Sequence, residues 1–293
     1  MSKNEFNLKG FMFPVVMSLM LTLVVSGCRV EERWGGEYGG LISFDTQMED
    51  LTKTGVVTSM VSFYISATTG AAGSESSIWG STLFESDGAP SPTYTGGRFW
   101  PQEEQDPYCF YASNRPLSFS ASGTTVSASA DMDVMCAYQP SPVFGERNTL
   151  VFEHVFSRIG DVTVTALDDY TVSQVDITIS PMVSGTYDLR TKAWSGTVAG
   201  APVHLAPSGP GTKSNDVWLV PGAYRLSASW HAEKDVYVEN FVGVLSDEIV
   251  LVAGRKSSIT LGLEGNEVRI VSNLPDAMGW TAEVHAADRV TWE

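Results

Sequence analysis

The side chains that could perform catalysis are few and widely spaced. The four histidines, His154, His204, His231 and His285, are too far apart in sequence for paired metal ligation, and no Cys-x-x-Cys motif is present. The chain also has no G-x-S-x-G nucleophile motif and no phosphate-binding loop. These observations predict a protein that is not an enzyme and that holds no metal or cofactor.

The carboxylates support the same prediction. They occur as the sequence neighbours Glu103-Glu104, Asp168-Asp169 and Asp247-Glu248. Adjacent residues of a strand point to opposite faces, so such pairs do not form a general acid and base by themselves. Asp131 and Asp133 share a face and could begin a metal site, but the sequence offers no third ligand.

Tryptophan offers a different chemistry, because indole rings can stack on sugars. Trp230 alternates with Leu226, which favours a place in the core. Trp100 precedes Pro101 near a predicted loop, and it is the candidate contact for a glycan. A monomeric glycan-binding outer-membrane lipoprotein is therefore one function that the sequence leaves open.

The cysteines carry two separate predictions. Cys109 and Cys136, with 26 residues between them, could form a disulfide in an oxidising compartment, and it would stabilise the fold by about 3 kcal/mol. The alternative is two buried thiols that pack as small apolar groups. Cys28 has a different setting, because it directly follows an apolar segment.

That N-terminal segment has the pattern of a secretory signal. Lys3 and Lys9 precede residues 11–27, which carry no charge and are short for a membrane span. The ending Val25-Ser26-Gly27-Cys28 resembles the lipobox of bacterial lipoproteins. The resemblance implies cleavage between Gly27 and Cys28 and a diacylglycerol on the Cys28 thiol. The mature chain would then be held at the outer membrane by its lipid.

The formal net charge of −16 argues against a nucleic-acid partner. Period-two alternation dominates after residue 38, so we expect an all-β protein built from antiparallel β-sandwiches. Leu41 to Phe44 begin the first predicted strand, residues 68–98 are predicted to be largely loop, and Gly160 divides the alternating stretch 150–167.

These patterns give a domain prediction. Residues 1–27 are the signal peptide, 28–40 a lipidated tether, 41–200 an N-terminal β-sandwich and 201–293 a C-terminal β-sandwich. The Pro- and Gly-rich stretch 201–216 is the predicted linker. A boundary near residue 148 is the alternative.

An ordered set of short motifs resembles a known family. The motifs are Phe99-Trp100-Pro101, Tyr108-Cys109-Phe110-Tyr111-Ala112, Asp133-Val134-Met135, residues 150–159, Val252-Ala253-Gly254-Arg255-Lys256 and Val290-Thr291-Trp292-Glu293. Together with the lipobox they are similar to the fimbrillin-like (Mfa-like) lipoproteins, type V pilus components of Gram-negative anaerobes. The resemblance implies two transthyretin-like β-sandwich domains and a fimbrial subunit, anchor or tip adhesin.

The same resemblance implies assembly with other pilus subunits by donor-strand exchange after a protease removes the first strand. It also implies adhesion to a host or bacterial surface glycan or protein. Here the sequence departs from the family pattern. Arg33 precedes the first predicted strand, and Lys53 rather than an arginine lies between the first and second predicted strands. Both are candidate processing positions, and they would leave different products.

Overall fold

The computed structural model describes residues 38–48, 60–70, 75–89, 92–101, 108–166, 169–209, 215–235, 237–244, 248–264 and 267–277. These residues form β-strands and the turns and loops between them, which confirms the all-β prediction. Apart from Tyr38, they belong to one compact unit, Gly39–Glu293. Within the described ranges, no helix has the length and hydropathy that a membrane crossing requires.

Seven strands close into a barrel in the order β1-β4-β3-β2-β5-β7-β8. In the described part of the chain, the first eight strands are β1 (Tyr38–Met48), β2 (Ser62–Thr69), β3 (Ser76–Ser86), β4 (Tyr94–Pro101), β5 (Tyr108–Ser113), β6 (Thr125–Ser129), β7 (Met135–Gln139) and β8 (Asn148–His154). The barrel forms because its strands turn apolar side chains inward, where aromatic rings fill much of the interior.

The prediction that residues 68–98 are mostly loop was wrong, because β3 and most of β4 lie in that range. β3 has few buried positions, so small and polar residues dominate it and hide the period-two pattern. Phe84 is its one fully buried large side chain among the described residues. The strand is therefore held by pairing on both sides, to β2 and to β4, more than by its own apolar face.

The remaining strands build the C-terminal sheets, which are the sheets formed by residues 157–277. Their strands are β9 (Ser157–Ala166), β10 (Thr171–Ile179), β11 (Met182–Asp188), β12 (Ala193–Ala199), β13 (Val203–Leu205), β14 (Val217–Leu219), β15 (Gly222–Tyr224), β16 (Leu226–Lys234), β17 (Tyr237–Val244), β18 (Ile249–Leu251), β19 (Arg255–Glu264) and β20 (Glu267–Ala277). Two four-stranded sheets, β13-β10-β16-β17 and β14-β9-β19-β20, enclose an aliphatic core.

A third sheet, β12-β11-β6, joins the barrel to the rest of the fold. Its inner residues, such as Val126 and Tyr187, pack with Tyr111 of the barrel and with Phe156. The sheet therefore covers the outside of the barrel strands β5 and β7.

Gly160 lies inside β9, where the pairing with β19 shifts between Ser257 and Ile259. A Cβ at Gly160 would meet the side-chain carbons of Lys256, so that flexible side chain would have to shift. The register shift agrees with the predicted interruption at Gly160, and a second interruption lies between His154, where β8 ends, and Ser157, where β9 begins.

The strand pairings bear on the domain boundary. β13 lies in the predicted linker and pairs with β10, so strands on either side of residue 200 share one sheet. The change from barrel to C-terminal sheets instead occurs between His154 and Ser157. These pairings favour the alternative boundary near residue 148, which we keep as a proposal.

Candidate functional site

The first strand of the barrel is the candidate functional site. β1 lies between β4 and β8, and it runs parallel to β8 with Phe44 opposite Asn148 and Met48 opposite Phe152. The pairings from β8 through β7, β5, β2 and β3 to β4 are antiparallel. β1 therefore closes a barrel whose other strands already form a continuous ladder.

The inward face of β1 supplies two side chains to the core. Ile42 and Phe44 are both 0% exposed. The Phe44 ring meets Phe110 at 4.9 Å and Phe84 at 5.4 Å between centroids, both edge to face. Full burial stabilises by about 1.5–3 kcal/mol for each such side chain, so β1 is a substantial part of the barrel's stability.

Thr46 continues the inward row and makes a polar contact instead. Its hydroxyl donates to the Tyr94 hydroxyl at 3.3 Å, and Tyr94 donates to the Met60 carbonyl at 2.6 Å. Burial is the main cause that raises the pKa of Tyr94. Because the only proton of Tyr94 is given to Met60, the phenol can only accept from the strand beside it.

The outward face of β1 makes an ion pair with a neighbouring segment. The Nε of Arg147 lies 3.2 Å from the Asp45 carboxylate. The Nη1 of the same guanidinium donates to the Thr93 hydroxyl at 2.5 Å. Arg147 precedes β8 and Thr93 precedes β4, so these two contacts, named here the Arg147 bridge, span β1 from one neighbouring strand to the other.

β1 fills the space between β4 and β8 and closes the barrel. Without it, β4 and β8 would each present unpaired main-chain groups at the two walls of a groove. The floor of that groove would be the aromatic surface that now contacts Ile42 and Phe44. Such a groove can bind a β-strand through main-chain hydrogen bonds and can recognise it through alternate side-chain pockets.

The structure corrects the prediction for Trp100. Its side chain is 1% exposed, and its ring packs against Phe144 at 5.2 Å and Tyr108 at 5.7 Å. A buried ring has no free face on which a sugar could stack, so Trp100 is a core residue of the barrel. Trp230, at 2% exposed, is also in the core, as the sequence predicts.

The structure also corrects the disulfide. Cys109 and Cys136 are free and buried thiols. Cys136 lies opposite Ser113, four residues along β5 from Cys109. That offset is about 13 Å along the strand, well beyond the roughly 7 Å between Cα atoms that a disulfide allows. Burial raises the pKa of both thiols, so they pack as small apolar groups.

The remaining predicted site residues lie outside the described residues. These are Gly27 and Cys28 at the lipobox and the candidate processing positions Arg33 and Lys53.

Sequence reasoning missed a buried pair beside the barrel. His154, at the end of β8, lies 2.7 Å from the Asp133 carboxylate through its Nδ1, and both side chains are nearly buried. The Asn114 side chain donates to the Asp133 carbonyl and accepts from the Met135 backbone N–H. Across the described ranges, no three His, Cys, Asp or Glu side chains converge as metal ligands. The contact between His154 and Asp133 links the end of β8 to the residues just before β7.

Comparisons with known proteins give a fold. No protein-family model matches the chain, and no curated protein matches it. A candidate cell adhesion protein from Parabacteroides distasonis ATCC 8503 aligns with a TM-score of 0.52 at 9% identity, over 81% of this chain and 91% of that one. A candidate cell adhesion protein from Bacteroides uniformis ATCC 8492 aligns with a TM-score of 0.50 at 14% identity, over 83% and 98%. This chain has the fold of these solved structures.

Proposed function

We propose that the chain is a cell-surface fimbrial protein, serving as a pilus subunit, an anchor or a tip adhesin. Two lines support this. The ordered sequence motifs resemble fimbrillin-like lipoproteins. The fold is that of solved structures described as candidate cell adhesion proteins. In this proposal the lipid on Cys28 holds the chain at the outer membrane, facing outward.

Assembly is proposed to proceed by strand exchange at the barrel. The observation that carries this is the position of β1, which completes the barrel in parallel with β8 and buries Ile42 and Phe44. A strand from another subunit would take its place. The ladder would supply affinity, and the two pockets would set the register.

The two candidate processing positions have different consequences. Cleavage after Arg33 would release the body from its lipid and leave β1 attached, because β1 begins at Tyr38. Cleavage at Lys53 would separate β1 from β2, because Lys53 lies between Met48 and Ser62. Only the second product could lose β1 completely, so we propose Lys53 as the cut that would permit exchange and Arg33 as the cut that would free an anchored subunit.

A disulfide that locks β1 in place tests the proposal. Gln47 and Val151 are registered partners on β1 and β8, and both side chains are exposed, so Gln47→Cys with Val151→Cys suits a cross-strand bond. The producing cells are examined for SDS-resistant assemblies that contain the chain. We expect the locked chain to be absent from them and a reductant to restore it.

The matched control places the same chemistry in the C-terminal sheets. Ser229→Cys with Val242→Cys joins the registered partners of β16 and β17. This variant should enter assemblies as the unmodified chain does. If the locked and control variants assemble equally well, β1 does not leave the barrel and the proposed exchange is wrong.

A further inference from the structure

Arg147 lies where its charge can favour one groove-filling strand over another. Its guanidinium contacts Asp45 on the outward face of β1 and Thr93 beside β4. The Asp45 contact depends on the occupant of the groove, whereas the Thr93 contact belongs to the groove wall. Arginine is charged at every accessible pH, so this cation is always present at the groove.

The residues around Arg147 are fixed without help from β1. The Asn148 carboxamide accepts from the Val143 N–H at 2.7 Å and donates to the Val143 and Glu146 carbonyls at 3.0 Å each. On the opposite wall, the Asp87 carboxylate accepts from the Thr93 N–H at 3.1 Å. The backbone next to Arg147 and the Thr93 residue that its guanidinium contacts are therefore each held by hydrogen bonds within their own loops. An incoming strand would meet a cation that Thr93 already holds in position.

The location of Asp45 in β1 gives the recognised pattern. Ile42 and Phe44 fill the two pockets, and the carboxylate follows directly on the opposite face. A strand shifted by one residue would turn its apolar side chains outward and move its acid away from Arg147. The strength of the Arg147 contact therefore depends both on the residue types of the strand and on its register.

We infer that Arg147 makes the groove selective for a strand that carries a carboxylate directly after the second of two alternating apolar residues. The inference rests on the proposed strand exchange and adds to it the chemistry of the partner. The fitting partner is a parallel β-strand with an aliphatic residue, any residue, an aromatic residue and then Asp or Glu. A strand with Lys or Arg at the last position is rejected by like charge.

The test uses the full chain with a specific protease site placed between β1 and β2. After cleavage, β1 stays bound only by its contacts, and a fluorescent peptide with the sequence of residues 38–48 is added in excess. Bound peptide is measured for the unchanged sequence, for Asp45→Asn and for Asp45→Lys. A Gln47→Lys peptide is the matched control, because it has the same net charge as the Asp45→Asn peptide but keeps the acid.

We expect the Asp45→Asn peptide to bind about two- to fivefold more weakly than the unchanged peptide, as the loss of an exposed ion pair predicts. The Asp45→Lys peptide should be weaker still, by about tenfold, and the Gln47→Lys control should bind like the unchanged peptide. In the Arg147→Glu protein the order should reverse, so that the Asp45→Lys peptide binds best. Raising the salt concentration should reduce all of these preferences.

The outcomes separate the two ideas. If the unchanged peptide never enters the cleaved protein, strand exchange is wrong and the selectivity falls with it. If that peptide enters but the Asp45→Asn and Asp45→Lys peptides enter equally well, exchange stands and the role of Arg147 is refuted. If the Gln47→Lys peptide bound as weakly as the Asp45→Asn peptide, the role of Arg147 would also be refuted, because net charge alone would explain both results.

Discussion

The barrel and the C-terminal sheets fill their cores with different kinds of side chain. The barrel core is largely aromatic, with Phe44, Phe63, Phe84, Phe110, Phe152, Tyr94 and Trp100 almost fully buried. The core of the C-terminal sheets is mainly isoleucine, leucine and valine. Aliphatic packing has little directionality, whereas aromatic pairs favour edge-to-face and offset arrangements. In the proposed strand exchange, the aromatic barrel core would favour particular orientations of an incoming ring.

Each region also contains a parallel pair of strands, and the two pairs differ in their setting. β19 lies parallel to β9 and pairs with β20 on its other side, inside a continuous stretch of strands. β1 lies parallel to β8 and is separated in sequence from the next barrel strand by residues 49–61. The proposed strand exchange would make the parallel ladder of β1 and β8 replaceable, whereas the ladder of β9 and β19 would stay in place.

Phe44→Ala should have the largest effect, and it should destabilise the barrel much more than the C-terminal sheets. Removing the ring leaves a cavity among Phe63, Phe84 and Phe110, and such truncations reduce the free energy of unfolding by about 3–5 kcal/mol. We expect the barrel strands to lose protection from hydrogen exchange while the C-terminal sheets keep theirs. Hydrogen exchange followed by mass spectrometry measures both regions in one sample.

The control for that substitution is Leu41→Ala on the same strand. Leu41 is 43% exposed on the outward face, so its truncation should change the free energy of unfolding by no more than about 0.5 kcal/mol. Equal losses of protection in both regions for Phe44→Ala would show that the two cores unfold as one unit.

The same conservative substitution in β1 and in β19 compares the two regions with a smaller loss of stability. Ile42 in β1 and Ile259 in β19 are both buried, and each of these strands has a parallel neighbour. Ile→Val at either position should lower the free energy of unfolding by about 0.5–1.5 kcal/mol. Only Ile42→Val should also increase the rate of peptide entry into the cleaved barrel, because only β1 leaves in that step. Faster entry for Ile259→Val would contradict the assignment of the groove to β1.

Sequence patterns predicted the strands that have one buried face. The alternating stretch 150–167, for example, contains most of β8 and all of β9, whose buried residues alternate along much of each strand. β12 was missed because nearly all of its residues are exposed, so pairing with β11 rather than burial defines it.

The candidate site was only half predictable. Leu41 to Phe44 were expected to begin the first strand; they do lie in β1, but β1 begins three residues earlier, at Tyr38 in the predicted tether. The Arg147 bridge was not expected, because Arg147 and Asp45 are far apart in sequence and meet only through the register of β1 on β8. Trp100 and the cysteine pair were misjudged for the same reason, since burial and register depend on the whole barrel.

The smallest expected effect concerns pH and belongs to the C-terminal sheets. Contacts with Asn240 at 2.9 Å and then Glu233 at 3.2 Å raise the pKa of His231. The stabilising contribution is therefore complete below the ordinary histidine pKa of about 6.5 and is lost as the pH rises through the higher folded value. His231→Gln should remove this dependence as the pH rises above about 6.5, in unfolding experiments monitored on β16 and β17.

An NMR titration of His231 checks the sign directly. A folded pKa at or below the ordinary value would contradict the prediction. The barrel strands should show no response to the substitution, which keeps this effect separate from the groove.

The parallel pairing of β1 with β8 has a mechanical consequence. In a parallel pair, the entry of one strand and the exit of the other lie at opposite ends of the ladder. A tension applied between Tyr38 and the chain beyond His154 would therefore slide β1 along β8 and load every rung together. An antiparallel pair joined by a hairpin would instead open one rung at a time when its two free ends are drawn apart. A strand that replaces β1 in the same direction would inherit this shear-resistant joint.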